Sequence, residues 1–326
     1  MKFYNITKID TDLKLKLESF YSNSENVSIH QHPSFPLNNK KINKRCFVLE
    51  DDNEIKAYCF SSESKLSKLP FIQLSKINFG PISISNEFSK LLMDNITQYY
   101  KKSFTELIID PLINDQLLIK EVEIKKSNKG TLLIDLKKEL SEIENDFSTI
   151  LKKNLKRGYK LPMLIEPITS KTEIEDFSEV YMKMSASRGL NHYSKDEIMQ
   201  IVEFVVKTDS GIALSCHYED KLIGGVVCIR QGNRMEYYLG FTDPEYRKLP
   251  QSHLTLFESI KTSKNKGIEI FDMGGIIFDA NENDQLFHVS NFKRHFSKNE
   301  IRFNSETTIK FNSFKSLLKK VYYKLA

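Results

Sequence analysis

Few side chains in the sequence stand at the spacings of a familiar catalytic or metal site. The tripeptide His217-Tyr218-Glu219 has the His-x-Glu spacing of zinc deaminases, but no Pro-Cys-x-x-Cys follows to supply the remaining ligands. The sequence also has no Gly-x-Ser-x-Gly elbow, Walker loop, dinucleotide-binding glycine pattern or His-Glu-x-x-His pair. These observations argue against a serine hydrolase, a P-loop enzyme, a Rossmann dehydrogenase and a zincin, and no metal site is predicted.

Cations that could contact phosphate groups cluster in the segment from residue 141 to residue 160. Ser141 and Glu144 have the spacing of a capping box, so this segment is predicted to be one helix that ends near Gly158. The cations would suit phosphate binding, and an ordinary solvated helix face accounts for them equally well. The side chains concerned are Lys152, Lys153, Lys156, Arg157 and Lys160.

The composition is that of a globular protein with a small excess of positive charge. The chain has 326 residues, enough for roughly two domains, and its 48 Lys and Arg residues against 43 Asp and Glu residues give a net charge of +5. This excess allows an anionic partner without indicating a dedicated nucleic-acid binder. The cysteines lie singly in apolar runs and are expected to be reduced and buried. No apolar leader or membrane-length apolar stretch is evident, so a cytoplasmic location is expected.

The elements that must position any site appear in the same order in both halves of the chain. In the first half, strand-like runs precede a helix at residues 86–102 and a further strand. In the second half, three strands with turns at residues 219–220 and 232–233 precede a helix at 251–265 and a strand. The repeated order of hairpin, helix and strand predicts an α/β protein made of two diverged copies of one unit.

Two more helices are predicted between these halves, each from a capping box. Ser170 pairs with Glu173, and Ser194 pairs with Glu197. The joint between the copies is placed just before them, near residues 158–168. The predicted division is an N-terminal unit of residues 1–160 and a C-terminal unit of residues 161–326.

The last residues of the sequence predict a basic amphipathic helix. Such a helix can lie on an anionic membrane surface, or it can pack on its own domain with a solvated outer face, and the packed arrangement is favoured. Its apolar stripe is predicted to consist of Phe314, Leu317, Leu318, Val321 and Leu325. The cations on the remaining surface are Lys315, Lys319, Lys320 and Lys324.

Motifs in the second half resemble those of one known family. They are a tyrosine-rich strand with Gly240, the D-x-E-Y-R-K-L turn at residues 243–249, the F-D-x-G-G strand end at 271–275 and the F-K-x-x-F element at 292–296. Weaker similarities lie at residues 30–35 and at Gly80-Pro81. In these features the sequence resembles the FemABX-like family, the peptidoglycan bridge-forming aminoacyltransferases of the GNAT acyltransferase superfamily.

The resemblance implies an α/β fold of two tandem GNAT-like units packed side by side, each a mixed sheet flanked by helices. It also implies an N-acyltransferase that moves an amino acid from aminoacyl-tRNA to an amino group of a nucleotide- or lipid-linked peptidoglycan precursor. The donor is then a substrate, and no cofactor is expected. Two alternatives stay open. One is acyl-CoA-dependent N-acetylation of an amino sugar in surface-polysaccharide synthesis, and the other is a non-catalytic protein that scaffolds envelope enzymes at the membrane.

The same resemblance suggests the site residues. Lys293, the lysine of the F-K element, is the expected catalytic residue, whose ammonium would meet the tRNA acceptor end or the oxyanion. Arg188 would bind precursor phosphates, although capping of helix carbonyls is an equal alternative. Tyr238 is favoured over its neighbour in the strand as the tyrosine facing the substrate. Arg247 and Phe292 complete the predicted substrate-binding set, with a salt bridge and core packing as their structural alternatives.

The turn at residues 247–252 separates the two donor classes. CoA-dependent GNAT enzymes hold pyrophosphate in a glycine-rich loop, where backbone N–H groups at a helix N-terminus can close around the anion. Here the turn contains no glycine, and Pro250 removes one N–H donor. The sequence therefore disfavours acetyl-CoA as the donor in the second unit.

Overall fold

The computed structural model describes residues 1–25, 27–36, 43–110, 126–189, 193–279, 281–282 and 286–325. The helices in this part of the chain are α1 (Thr11–Ser22), α2 (Asn86–Lys101), α3 (Leu140–Asp146), α4 (Thr149–Gly158), α5 (Lys171–Ser187), α6 (Lys195–Thr208), α7 (Gln251–Asn265), α8 (Phe287–Arg294) and α9 (Ser313–Leu325). The strands are β1 (Lys2–Ile6), β2 (Asn43–Asp51), β3 (Glu54–Leu66), β4 (Leu69–Asn78), β5 (Ile82–Ser83), β6 (Glu106–Asp110), β7 (Lys126–Asp135), β8 (Met163–Pro167), β9 (Gly211–Tyr218), β10 (Lys221–Gln231), β11 (Arg234–Thr242), β12 (Ile270–Asp272), β13 (Ile276–Ile277), β14 (Glu300–Asn304) and β15 (Thr307–Lys310).

The chain forms two compact units whose boundaries differ from the predicted division at residue 160. The first unit contains residues 1–127 and 304–326, and the second contains residues 128–303. The difference arises from long-range strand pairing. Strand β7 pairs with β12 of the second unit, while β15 pairs with β6 and so returns the C-terminal segment to the first unit. The predicted joint at residues 158–168 lies inside the second unit, between α4 and the end of β8.

The first unit is built on a seven-stranded mixed sheet in the order β1-β2-β3-β4-β6-β15, with β5 paired to β3. Strands β2, β3 and β4 form an antiparallel meander, α2 follows, and β6 returns parallel to β4. One face of α2 buries Leu92, Ile96 and Tyr100 against the strands. Full burial of an aliphatic side chain of this size contributes about 1.5–3 kcal/mol, so this face fixes the helix on the sheet.

The second unit repeats that order on an eight-stranded sheet, β13-β7-β12-β11-β10-β9-β8, with β14 paired to β7. Strands β9, β10 and β11 form the meander, α7 follows, and β12 returns parallel to β11. Leu254, Phe257 and Ile260 of α7 are buried in the core of this unit. The α/β class and the two units of like order, each a mixed sheet flanked by helices, are therefore confirmed.

Helix starts follow the capping signals except in one segment. Both predicted capping boxes, at Ser170 and Ser194, are present. The single helix predicted from Ser141 is wrong, because the chain forms α3 and α4 with a break between them. At the break, Phe147 has an extended backbone and a buried side chain, and the Ser148 hydroxyl accepts the Leu151 N–H to start α4. The burial of this aromatic ring is a tertiary effect that the capping pattern did not show.

The C-terminal helix α9 packs on the first unit with a face that differs from the predicted stripe. Leu318 and Tyr322 contact the buried side chains of Leu66, Ile72 and Leu74. Phe314, Leu317 and Val321, which were predicted to share the packed stripe, are exposed. Among the described residues, no helix has the length and apolar character needed to cross a lipid bilayer.

Candidate active site

The candidate site lies in the second unit, at the point where two parallel strands stop pairing. Strands β11 and β12 are paired over only three positions, from Arg234 opposite Ile270 to Glu236 opposite Asp272. Beyond this point β12 ends, whereas β11 continues to Thr242. The register therefore places two acidic residues opposite each other at the last paired position.

Asp272 is held by several donors. Its carboxylate accepts hydrogen bonds from the Thr131 hydroxyl and from the Gly274 N–H, the latter at 2.8 Å. The Arg234 guanidinium forms an ion pair with the other carboxylate oxygen at 3.3 Å. Asp272 is buried, so these partners replace the water that a carboxylate would otherwise bind. Its first role is therefore to fix the strand end and the turn that follows.

Lys293 of α8 reaches this turn with its side chain. The side chain is buried, and Nζ donates a hydrogen bond to the carbonyl of Gly275 at 2.9 Å. Burial lowers the pKa of Lys293 from 10.5 to about 8, although the charges of Asp272 and Glu236 oppose the change. The ammonium also lies 5.5 Å from the centre of the Tyr237 ring, within cation–π range. Lys293 is therefore a cation that loses its proton more readily than an exposed lysine does.

The approach of Lys293 depends on a glycine. Gly274 has φ +70°, a backbone conformation that other residues adopt with strain. A Cβ at this position would lie 3.3 Å from Lys293 Nζ, 3.9 Å from Glu236 Oε1 and 2.7 Å from the Tyr237 carbonyl oxygen. The Lys293 ammonium and the Glu236 carboxylate thus both lie within 4 Å of the position that a Cβ of residue 274 would occupy.

Glu236 is the acidic partner of this pair. Burial and the negative charge of Asp272 raise the pKa of Glu236 to about 7, while Arg234, a hydrogen bond from Gln231 and the charge of Lys293 act in the opposite direction. A carboxyl group with a raised pKa and an ammonium group with a lowered pKa therefore occur together, and both values are shifted towards neutrality. Such a pair can supply a base and an acid at physiological pH.

A β-bulge positions the two adjacent tyrosines of β11. In the register with β10, Val227 pairs with Leu239 and Cys228 pairs with Tyr237, so Tyr238 has no opposite residue. The bulge interrupts the strict alternation of side chains on which the preference for Tyr238 was based. The ring of Tyr237 lies beside the Lys293 ammonium, and the Tyr238 hydroxyl lies 3.3 Å from that of Tyr193. The structure thus brings Tyr237 to the lysine and Tyr238 to another tyrosine.

The two predicted arginines meet at the end of α5. Arg247 donates a hydrogen bond to the Ser187 hydroxyl at 2.9 Å, next to Arg188 in the chain. Both arginines are exposed. The Arg188 charge acts on Tyr237, where it opposes the rise in the phenol pKa that burial causes. The end of α5 therefore places Arg188 within electrostatic reach of Tyr237, and Arg247 contacts the residue before Arg188.

Phe292 and the start of α7 serve packing. The Phe292 ring lies 4.9 Å from that of His253 and 5.5 Å from that of Phe296, against the core of the second unit. At the start of α7, Pro250 occupies the capping position without a side-chain hydrogen bond, and the buried Gln251 amide donates to the Tyr246 carbonyl at 2.9 Å. The Gln251 side chain thus fixes this turn, whereas a glycine-rich loop would leave its backbone N–H groups available to an anion.

Sequence reasoning missed Glu236, Arg234 and Thr131 as members of the cluster. Glu236 carried one signal, since it is the one acidic residue of β11 and stands among the apolar and aromatic side chains of Met235, Tyr237 and Tyr238. Charged residues are seldom placed in such a strand unless they are paired or functional. Thr131 gave no signal, because its partner Asp272 lies 141 positions further along the chain.

Each of the two α/β units has the order meander, helix and parallel strand. In the second unit the parallel strands β11 and β12 part beside Lys293 and Glu236. These features define a tandem GNAT-type fold. Residues 146–294 match the family model described as "Acetyltransferase (GNAT) domain". The second unit therefore contains an acyltransferase domain, and the protein is a transferase.

The whole chain has the fold of FemX, whose crystal structure is 14% identical and superposes with a TM-score of 0.73 over 98% of this chain and 100% of that one. The resemblance to the FemABX-like proteins is thus confirmed in the fold. L-PGS from Bacillus licheniformis is 10% identical, with a TM-score of 0.61 over 96% of this chain and 94% of that one. A tandem GNAT protein from the clavulanic acid biosynthesis pathway is 8% identical, with a TM-score of 0.53 over 95% of this chain and 98% of that one. No curated protein matches the sequence.

Proposed function

We propose that the protein transfers an aminoacyl group from aminoacyl-tRNA to an amino group of a cell-envelope precursor of the peptidoglycan type. The observation that carries this proposal is the placement of the Glu236 carboxylate and the Lys293 ammonium on either side of Gly274, where β11 and β12 stop pairing. The full-length likeness to FemX supports the choice of donor and acceptor. The reaction would take place in the cytoplasm, where charged tRNA is available.

The chemistry asks for a base, an oxyanion partner and positioning. The acceptor nitrogen attacks the ester carbonyl, a C–N bond forms, and the carbonyl oxygen becomes an oxyanion. The Glu236 carboxylate accepts the proton that the acceptor amine loses. The Lys293 ammonium stabilises the oxyanion, and it donates a proton to the ribose oxygen as the C–O bond breaks. The ammonium is regenerated from the protonated carboxyl, so charge and protons balance over one turnover.

Phosphate groups on both substrates need cations, and exposed cations are present in the second unit. Arg188 and Arg247 at the end of α5 would bind phosphates of the precursor. The basic face of α4 would contact the tRNA backbone, at about one counterion released for each phosphate contact. The side chains on that face are Lys152, Lys153, Lys156 and Arg157, all of them exposed.

The test is a transfer assay with the purified protein, tRNA charged with labelled amino acids and a UDP-linked muropeptide. We expect label in the muropeptide with the wild type, and loss of at least about 100-fold with Lys293→Met, as when an oxyanion partner is removed. Lys298→Met, at an exposed lysine beyond α8, is the matched control and should keep full activity. Absence of transfer by folded wild-type protein with any amino acid would refute the proposal.

The match to an acetyltransferase domain favours one other donor, an acyl-CoA, with an amino sugar of surface polysaccharide as the acceptor. Thermal melting distinguishes the two, because a ligand that binds only the folded state raises the melting temperature. A shift with the muropeptide and none with CoA supports the proposal, and the reverse pattern replaces it with the acyl-CoA reaction.

A further inference from the structure

Helix α9 is held on the first unit by one face only. Leu318 and Tyr322 pack against a small apolar cluster on β3 and β4. The Lys319 ammonium forms an ion pair with the buried carboxylate of Glu106 on β6. A buried carboxylate tolerates little change in its partner, so this ion pair fixes the rotation of the helix about its axis.

That rotation turns a band of large apolar side chains outward. Phe314 is 70% exposed, Leu317 58% and Val321 46%. At 100° per residue these positions fall within a sector of about 60° of the helix circumference. Phe71 of β4, itself 47% exposed, lies beside the helix, where the Lys315 ammonium sits 5.9 Å from its ring centre. Grouped exposure of this kind marks an interaction surface, whereas single exposed apolar residues are ordinary.

The charged side chains of α9 itself all have one sign. Lys320 and Lys324 are exposed on the helix beside Leu317, and residues 311–326 contain no Asp or Glu. An apolar band bordered by lysines has the chemistry of an interfacial helix, because the apolar side chains enter the acyl boundary while the ammonium groups reach the headgroup phosphates. A nucleic-acid surface would need the lysines but would gain little from exposed phenylalanine and leucine side chains.

We propose that the outer face of α9 docks the protein on an anionic lipid bilayer, with Phe314, Leu317 and Val321 in the interface and Lys320 and Lys324 on lipid phosphates. The occupant follows from charge complementarity combined with the apolar band. The docking does not depend on the identity of the acyl donor. It would hold the protein at the surface where lipid-linked acceptors are found.

The test is co-sedimentation with vesicles of phosphatidylcholine and phosphatidylglycerol in equal amounts, compared with pure phosphatidylcholine. We expect binding to the anionic vesicles that weakens with added salt. Two double variants separate the contributions. Phe314→Ser/Leu317→Ser removes apolar area without changing charge, and Lys320→Glu/Lys324→Glu reverses two charges. Each should weaken binding at least tenfold.

The matched control is Lys171→Glu/Lys207→Glu, which changes the net charge equally at two exposed lysines of the second unit. It should bind vesicles within about twofold of wild type, since cations off the docking face contribute little to contact with the bilayer. Circular dichroism melts confirm that each variant is folded. The proposal would be overturned if the control variant lost as much vesicle binding as the test variants. It would also be overturned if Phe314→Ser/Leu317→Ser left vesicle binding unchanged, or if the wild type did not bind vesicles. Loss of tRNA binding by Lys320→Glu/Lys324→Glu with vesicle binding intact would reassign the surface to RNA.

Discussion

Replacement of Lys293 by methionine should stabilise the protein while abolishing transfer. A pKa lowered from 10.5 to about 8 corresponds to about 3 kcal/mol that disfavours the buried ammonium in the folded state at neutral pH. Methionine fills a similar volume without charge. Loss of the hydrogen bond to the Gly275 carbonyl offsets about 1 kcal/mol of this stabilisation. The expected net increase in the free energy of unfolding is therefore about 2 kcal/mol.

The pH dependence tests the same reasoning. The folded-state pKa of Lys293 is below the unfolded-state value, so the unfolded chain holds more protons between pH 8 and 10.5 and wild-type stability rises over this range. The Met variant lacks this contribution. Its advantage should therefore be complete below pH 8 and should fade as the pH approaches 10.5.

Urea unfolding of both proteins at pH 7 and at pH 9.5 measures the effect, and Lys298→Met controls for loss of a lysine at an exposed position. A Lys293→Met protein less stable than wild type at pH 7 would show that the ammonium is a structural ion-pair partner. A stable variant that keeps more than a tenth of wild-type transfer would show that the lysine has no part in the reaction. Either result would refute the role assigned to the buried Lys293 ammonium.

Three further substitutions, with Gly275→Ala as the control for one of them, probe the surroundings of this lysine. Gly274→Ala should lower the free energy of unfolding, measured in urea, by about 2 kcal/mol or more, because residue 274 has a positive φ and the new Cβ would lie too close to the Tyr237 carbonyl oxygen. Gly275→Ala should be nearly neutral, because a Cβ at that position would have no atom within 4 Å. Arg234→Met should lower the free energy of unfolding in urea at pH 7 by about 3 kcal/mol, since it leaves the buried Asp272 carboxylate without its ion-pair partner. Glu236→Gln should lower transfer by about 10²- to 10⁴-fold, because it removes the proposed base. The alkaline limb of the residual activity should move below pH 8, because the substitution also removes a negative charge that supports the Lys293 ammonium. Full transfer by the variant, or an unmoved limb, would contradict the proposed roles of Glu236 and Lys293.

The sequence predicted well those features that depend on neighbouring residues. The capping boxes at Ser170 and Ser194, the bounds of α7 and the turns of the second meander each rest on contacts within a few positions of the chain. Such signals survive in any tertiary context that keeps the element. The repeated order of the two units was visible for the same reason, as was the burial of the cysteines in apolar strands.

The features that depend on long-range pairing could not be predicted from the sequence. The first unit takes its last strand from residues 307–310, because β15 pairs with β6 about two hundred positions earlier. The bulge at Tyr238 depends on how β10 and β11 align, and it decides which tyrosine meets Lys293. The outward band of α9 is set by the packing of Leu318 and Tyr322 on the first unit and by the ion pair between Lys319 and Glu106.

The sequence by itself predicted the α/β class of the fold, the repeated order of meander, helix and strand, and the lysine at the centre of the candidate site. Only the tertiary structure decided the chemistry around that lysine. The pKa values of Glu236 and Lys293 depend on burial and on charges brought together by strand pairing and helix packing, and electrostatic energies grow as water is excluded. Residue types fix which groups can ionise, and the folded environment fixes the pH at which they do.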